Sequence, residues 1–219
     1  MRGRTHVAVA AALGLGLSLA LRESESGWLA GMGLAIQESE SGWLVGTGLA
    51  ALGGLLPDID EPRSLIGHSP QILARGATRH SRRGSLIRVL ILMLGELLTG
   101  LVQALATAIR ELMGHRGMMH WALMAVALAV PLAALWGPHA GLYFLIGYLS
   151  HLALDMMTRS GLPVLGPLSK RRLHLLPPLL RVRTGGPVDH LLQFGAGAAF
   201  VLLLATSYIA DIEGASWLP

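Results

Sequence analysis

The sequence predicts an all-α membrane protein, a polytopic helix bundle with about five transmembrane helices and one amphipathic helix at the interface. The chain of 219 residues is 53% hydrophobic and only 14% charged. Its mean hydropathy is +0.56, which is too apolar for an ordinary soluble domain. Several apolar runs approach the length needed to cross about 30 Å of hydrocarbon, and basic residues concentrate in the loops between them. We therefore treat residues 1–219 as a single membrane domain.

Five of the apolar runs are predicted to cross the membrane. Residues 42–57 form the shortest of these, and their high glycine content suits a helix that packs closely against its neighbours. In chain order the predicted spans are residues 5–21, 42–57, 118–136, 139–158 and 190–210. Residues 23–35 and 38–50 are tandem copies of one short sequence, which we interpret as a local duplication that lengthens the first loop.

The run at residues 86–112 differs because its polar residues form a stripe. They fall mostly three or four apart, which predicts an amphipathic helix that suits either the interface or a span. The stripe consists of Arg88, Glu96, Thr99, Gln103, Thr107 and Arg110. If this helix stays at the interface, both large basic loops face the cytoplasm and both acidic segments face outward. We therefore favour five spans with a cytoplasmic N-terminus.

His151 and Asp155 interrupt an otherwise apolar run. A spacing of four places them on one helical face, where they either serve a function within the membrane or form a buried hydrogen-bonded pair. In the predicted topology, other side chains of the ligand type reach the same cytoplasmic end of the bundle. They are His6, Asp58, Asp60, His115 and His120, with Asp189 and His190 at the start of the last span. This convergence favours a metal site over scattered core histidines.

The available donor types restrict the metal. The chain has no cysteine, which excludes thiolate ligands and disulfides. Imidazole and carboxylate donors suit Zn²⁺ and also Mn²⁺ or Fe²⁺, and bridging carboxylates leave room for one or two ions. Such an ion would lower the pKa of bound water toward about 7 and provide a hydroxide nucleophile. Arg116 lies between two candidate ligands, where it either neutralises a phosphoryl oxygen or pairs with Asp58 or Asp60.

The remaining histidines are interpreted differently. His68 and His80 lie in a basic loop and are expected to be solvated, and His139 falls at the opposite face of the membrane and is expected to be structural. His174 lies close to the basic residues 170–172, so we expect it to meet lipid phosphate.

Several motifs together resemble the YdjM-like family of LexA-regulated inner-membrane proteins, which are classed as metal-dependent hydrolases. In chain order they are RTH, GGLLPDIDEPRSLIGH, GHRGMMHW, GYLSHLALDMMTRSGLPVLGPLSKRR and VRTGGPVDH, and they extend over most of the sequence. The resemblance implies that the metal ligands are His6, Asp58, Asp60, His115, His120, His151 and Asp155. The family is distantly similar to zinc-dependent phospholipase C and P1-type nucleases, which implies phosphoester hydrolysis.

The chain departs from the family pattern at three positions. Met119 and Trp121 replace a threonine and a serine, which removes two hydroxyls that would support His120 from either side. Asp189 stands where glutamate is commoner.

From these residues we expect a metal-dependent hydrolase that cleaves a phosphoester at the cytoplasmic leaflet, with a phospholipid headgroup as one candidate substrate. Arg116 and Asp60 are the expected catalytic residues, and membrane lipids are the expected partners. A metal-coupled or proton-coupled transporter that uses the same cluster is the main alternative, although transporter sites usually lie near the midplane between repeats. The hypothesis of a regulatory protein that contacts DNA rests on charge alone, so we do not expect nucleic acid as a partner.

Overall fold

The computed structural model describes residues 1, 3–23, 42–61, 64–79, 85–113 and 117–215. These ranges contain α-helices and no named β-strand, as the sequence predicts. The helices are α1 (Gly3–Glu23), α2 (Gly42–Leu55), α3 (Leu65–Ala77), α4 (Leu86–Met113), α5 (Ala122–Trp136), α6 (Pro138–Met156) and α7 (Pro187–Ala215). Two short 3-10 helices complete the set that positions the site: the Asp58 turn (Leu56–Asp60), directly after α2, and the His120 turn (Met118–His120), before α5.

The centre of the bundle is formed by α1, α2 and α6, which all pack against one another. The helix α5 packs against α6 on the outside of this group, and α7 packs against α1. Phe144, Tyr148 and Leu152 of α6 are buried together with Ala125 and Ala129 of α5. Many leucines and valines on the outer faces of α4, α5 and α7 are exposed instead, as expected of helices that are apolar over most of their circumference and lie in lipid.

The short helix α2 and the helix α6 approach each other at glycines. A Cβ atom on Gly53 would lie 2.2 Å from the carbonyl oxygen of Phe144, and one on Gly147 would lie 1.9 Å from that of Ala50. Because glycine lacks this atom, α2 and α6 pack with their backbones almost in contact. The structure thus confirms the close packing predicted for the glycine-rich run.

The helix α3 lies in a stretch predicted to be a basic loop, so this prediction is wrong. The side chain of Ser64 caps the helix by accepting a hydrogen bond from the amide of Gly67. His68 is therefore helical, and its Nε2 lies 3.4 Å from the side-chain nitrogen of Gln103 on α4. A capping serine followed by apolar pairs at 65–66 and 72–73 was the sequence signal for this helix.

Much of the polar stripe of α4 contacts other parts of the protein, whereas Thr107 is exposed. Glu96 lies 3.4 Å from Gln71 of α3, and Arg110 forms a 3.1 Å ion pair with Glu61, the residue that follows the Asp58 turn. Most of the large apolar side chains of α4 lie on the opposite face and are exposed. The predicted amphipathic helix is therefore confirmed, and its polar side meets α3 and the residue after the Asp58 turn.

Among the residues that the structure describes, three helices are long and apolar enough to cross a membrane by length and composition alone: Gly3–Ala20, Leu86–Leu112 and Pro187–Thr206. The helix α5 is apolar but shorter. Length and composition therefore do not separate an interfacial α4 from a spanning one.

The course of the chain does bear on the position of α4. The Asp58 turn precedes α3, the His120 turn follows α4, and the two turns contact each other. The chain between the two turns thus leaves one end of the bundle and returns to the same end. The helix α3 carries His68, Gln71 and Arg75 within its 13 residues, and a return crossing by this helix would place these polar side chains in hydrocarbon. A single crossing by α4 does not fit this return, which favours the five-span arrangement.

Candidate metal centre

Five side chains from four elements meet at one end of the bundle. His6 comes from the first turn of α1, Asp58 and His120 come from the two turns named after them, and His151 and Asp155 come from the end of α6. Their ligand atoms form two overlapping groups, and within each group all atoms lie within 4.8 Å of one another. One group is His6, Asp58 and His151, and the other is His120, His151 and Asp155.

His151 lies at the centre of this cluster. Its Nε2 is 3.7 Å from Oδ1 of Asp58 and 4.0 Å from Oδ2 of Asp155. Its ring stacks on that of His6 with the centroids 3.7 Å apart, and it meets the His120 ring edge-on at 5.5 Å. The other four side chains therefore surround one imidazole.

The backbone of α2 determines which nitrogen of His151 carries the proton. Nδ1 lies 2.7 Å from the carbonyl oxygen of Gly54, and a carbonyl can only accept, so Nδ1 is the donor. In the neutral ring the lone pair is then on Nε2, directed into the cluster. This buried Nε2 has no hydrogen-bond partner among the residues that the structure describes. Such an atom costs about 1–3 kcal/mol unless a ligand satisfies it, and a metal ion would do so.

The cluster is almost closed to solvent. The three imidazoles and Asp155 are at most 2% exposed, whereas the side chain of Asp58 keeps 25% of its surface. Among these five residues, Asp58 is thus the one that a molecule from solvent would meet.

Negative charge in this site is costly because the site is buried. Burial raises the pKa of the Asp58 carboxyl to about 6, although nearby His6 acts in the opposite direction. The ammonium group of Met1 forms an ion pair with Asp155, and Nε2 of His6 lies 3.3 Å from the same carboxylate oxygen. The carboxylates are therefore in surroundings that favour a cation.

The other predicted site residues have different positions. Asp60 is 1% exposed and ends the Asp58 turn, but it belongs to neither group of ligand atoms that the described residues form. His115 and Arg116 lie outside the described residues. His120 was predicted in the first turn of a span, whereas the structure places it in a separate 3-10 turn, with Trp121 between it and α5.

Tyr148 positions the turn that carries His120, a role that sequence reasoning missed. Its hydroxyl donates to the carbonyl oxygen of Met119, and the tyrosine is fully buried one helical turn before His151. The chain therefore holds His120 through its backbone, where the family pattern has hydroxyl side chains. The position of Tyr148, three residues before His151 on one helical face, was the available signal.

Asp189 connects two helix starts at the same end of the bundle. Its Oδ1 accepts from the hydroxyl of Thr5 at 2.6 Å, and its Oδ2 accepts from the amide of Gly185 at 2.7 Å. Thr5 directly precedes His6, so Asp189 fixes the first turn of α1 against α7. We therefore regard Asp189 as a positioning residue.

The family model of the YdjM inner membrane protein matches residues 1–214 of the chain. This match includes every residue of the cluster. No curated protein and no solved structure matches the chain significantly.

Proposed function

Because the chain belongs to the YdjM inner membrane protein family, we propose that it is an inner-membrane, metal-dependent hydrolase that cleaves a phosphoester at the cytoplasmic leaflet. The observation that carries the proposal is the convergence of three buried imidazoles and two carboxylates around Nε2 of His151. Imidazole and carboxylate donors without thiolates suit Zn²⁺, with Mn²⁺ and Fe²⁺ as the other candidates.

The donor set favours one ion. Both groups of ligand atoms include His151, and its Nδ1 is engaged by the carbonyl of Gly54. The single lone pair on Nε2 binds one ion only, so the two groups describe one site with ligands drawn from both.

The chain's own residues account for binding and proton transfer. An ion held in this site would supply Lewis acidity and lower the pKa of a water molecule toward about 7. We assign Asp60, which is buried beside the ligand Asp58, to accept the proton of the attacking water. We assign Arg116 to hold the phosphoryl oxygens in a bidentate grip as charge develops on them. The exposed edge of Asp58 admits the substrate.

A metal-coupled or proton-coupled transporter remains the main alternative. Transport sites usually lie near the midplane of the membrane. Here His6 lies in the first turn of α1, Asp155 lies one residue before the end of α6, and His120 lies before the start of α5. Candidate ligands at helix ends favour chemistry at one face of the membrane.

The test measures hydrolysis and uptake in parallel. The full chain, purified in detergent and loaded with Zn²⁺, is incubated with mixed phospholipids and nucleotide phosphoesters, and the release of headgroup or phosphate is measured. We expect release to rise with pH through about 7 and to stop on chelation. Metal uptake into sealed liposomes without hydrolysis would reject the hydrolase in favour of a transporter.

A substitution at Arg116 tests the role of this residue separately. We expect Arg116→Lys to keep the metal and to lose roughly a hundredfold in rate, because a point charge does not reproduce the guanidinium fork. Arg75→Lys, at an exposed position on α3, is the matched control and should retain the rate. Full activity of Arg116→Lys would remove Arg116 from the catalytic step.

A further inference from the structure

The loop between α6 and α7, residues 157–186, is strongly cationic. From residue 156 to residue 188 the sequence has six lysines and arginines and no aspartate or glutamate. The six are Arg159, Lys170, Arg171, Arg172, Arg181 and Arg183. Five of them are exposed, and Arg181 is half-buried. The loop thus presents a positive surface beside the end of α6 that carries His151 and Asp155.

Large apolar side chains are exposed on the same loop. Leu168 is 95% exposed and Leu179 is 98% exposed, and Leu165, Leu175 and Leu180 are each more than half exposed. Single exposed leucines are ordinary, but a group of them interspersed with basic residues marks an interaction site.

The loop is held in this conformation by backbone hydrogen bonds. Thr158 pairs with Val182 and Leu162 pairs with Leu173 in isolated β-bridges. The carbonyl of Val164 accepts from the amide of Ala122 at 2.9 Å, which ties the loop to the start of α5. The exposed leucines are therefore presented by an ordered scaffold, and the entropy cost of ordering them on a surface is reduced.

We propose that this loop docks on an anionic phospholipid surface, with its exposed leucines among the upper acyl chains and its basic side chains on the headgroup phosphates. Charge complementarity selects this partner, since the loop is positive throughout and basic segments beside membrane helices bind anionic lipids. Leucine supplies the apolar contact that charge alone lacks. Because the loop follows α6 directly, docking holds the His151 cluster at headgroup depth. The proposal does not depend on hydrolysis by that cluster.

Spin labels measure the docking in the full chain. The chain has no native cysteine, so Leu168→Cys and Leu179→Cys each provide one labelling position. In nanodiscs that contain phosphatidylglycerol, we expect both labels to be more accessible to dissolved oxygen than to a water-soluble nickel chelate. Leu202→Cys on α7 is the reference for a label within the membrane.

Charge variants test the anionic part of the proposal. Each basic residue near an anionic surface contributes about fivefold in binding, so Arg171→Glu with Arg172→Glu should lower retention of phosphatidylglycerol by roughly tenfold or more. The matched pair Arg171→Lys with Arg172→Lys should retain it. Native mass spectrometry of the detergent-purified chain measures the bound lipid.

Three results would overturn the proposal. The first is a label at position 168 or 179 that prefers the nickel chelate in phosphatidylglycerol discs. The second is equal protection of these labels in discs of phosphatidylcholine alone. The third is spin–spin broadening between copies, which would assign the surface to a second copy of the chain.

Discussion

His151 depends on a backbone group of another helix for its orientation. The carbonyl of Gly54 holds Nδ1, so α2 selects Nε2 as the nitrogen that faces the cluster, while the imidazole belongs to α6. Tyr148 does the same for His120, because its hydroxyl holds the carbonyl of Met119. At the residue scale, the site is built from side chains whose positions are fixed by hydrogen bonds outside the ligand set.

Removing a ligand should remove the metal. We expect the natural chain to hold an ion near one-to-one, and His151→Ala, His120→Ala and Asp155→Ala to lose it, because each change removes a candidate coordinating atom. His139→Ala is the control, since His139 lies at the opposite end of α6. Elemental analysis of the detergent-purified protein measures the metal. If all four variants retain it equally, these residues form a buried hydrogen-bonded cluster without metal.

Removing the Tyr148 hydroxyl should weaken metal binding without loss of the fold. Tyr148→Phe keeps the buried ring and removes the hydrogen bond to Met119, and we expect about a tenfold to hundredfold loss of affinity. Tyr143→Phe is a matched control on the same helix, because its hydroxyl bonds Ser18 at 2.9 Å instead. Metal titration with a competing chelator measures both. Equal affinities in the two variants would contradict the positioning role of Tyr148.

At the scale of elements, the contact between α2 and α6 determines the geometry of the site. Gly53 and Gly147 allow the two backbones to approach, and Gly54 follows directly on Gly53. The glycines therefore contribute in two ways: they let a short helix pack, and they bring a carbonyl within reach of an imidazole.

A Cβ atom at this contact should separate the two helices. In Gly147→Ala the added atom would lie 1.9 Å from the carbonyl oxygen of Ala50, and we expect a loss of roughly 1–3 kcal/mol in stability together with weaker metal binding. Gly48→Ala is the control, since nothing lies within 4 Å of the added atom and alanine favours helix. Thermal unfolding in detergent compares them. Equal stability of the two variants would show that the helices relax without cost.

At the scale of the whole molecule, the candidate ligands share one end of the bundle. The chain starts there at α1, returns there at the Asp58 turn and the His120 turn, and returns again at the end of α6. Each visit contributes a candidate ligand. A one-sided site of this kind requires an even number of crossings between successive visits, which the five-span arrangement provides.

This arrangement predicts the side of each loop. Reporter fusions at Arg75 and Lys170 should both be cytoplasmic, and a fusion after Glu213 should be external, because the basic loops stay on the inner side. Paired fusions with an enzyme active only outside and a fluorophore active only inside provide the measurement. Opposite sides for Arg75 and Lys170 would mean that α4 crosses the membrane.

The sequence by itself determined the membrane class, the all-α fold and most of the helices, because hydropathy and helical periodicity depend on residues that are close in the chain. It also determined the pair His151 and Asp155, since a spacing of four sets one helical face. Only the tertiary structure decided that α4 turns its polar stripe toward α3, and that Gly54 selects the nitrogen of His151. These contacts join distant parts of the chain, 97 residues apart in the case of Gly54 and His151. They depend on how helices pack, which no local pattern of residues encodes.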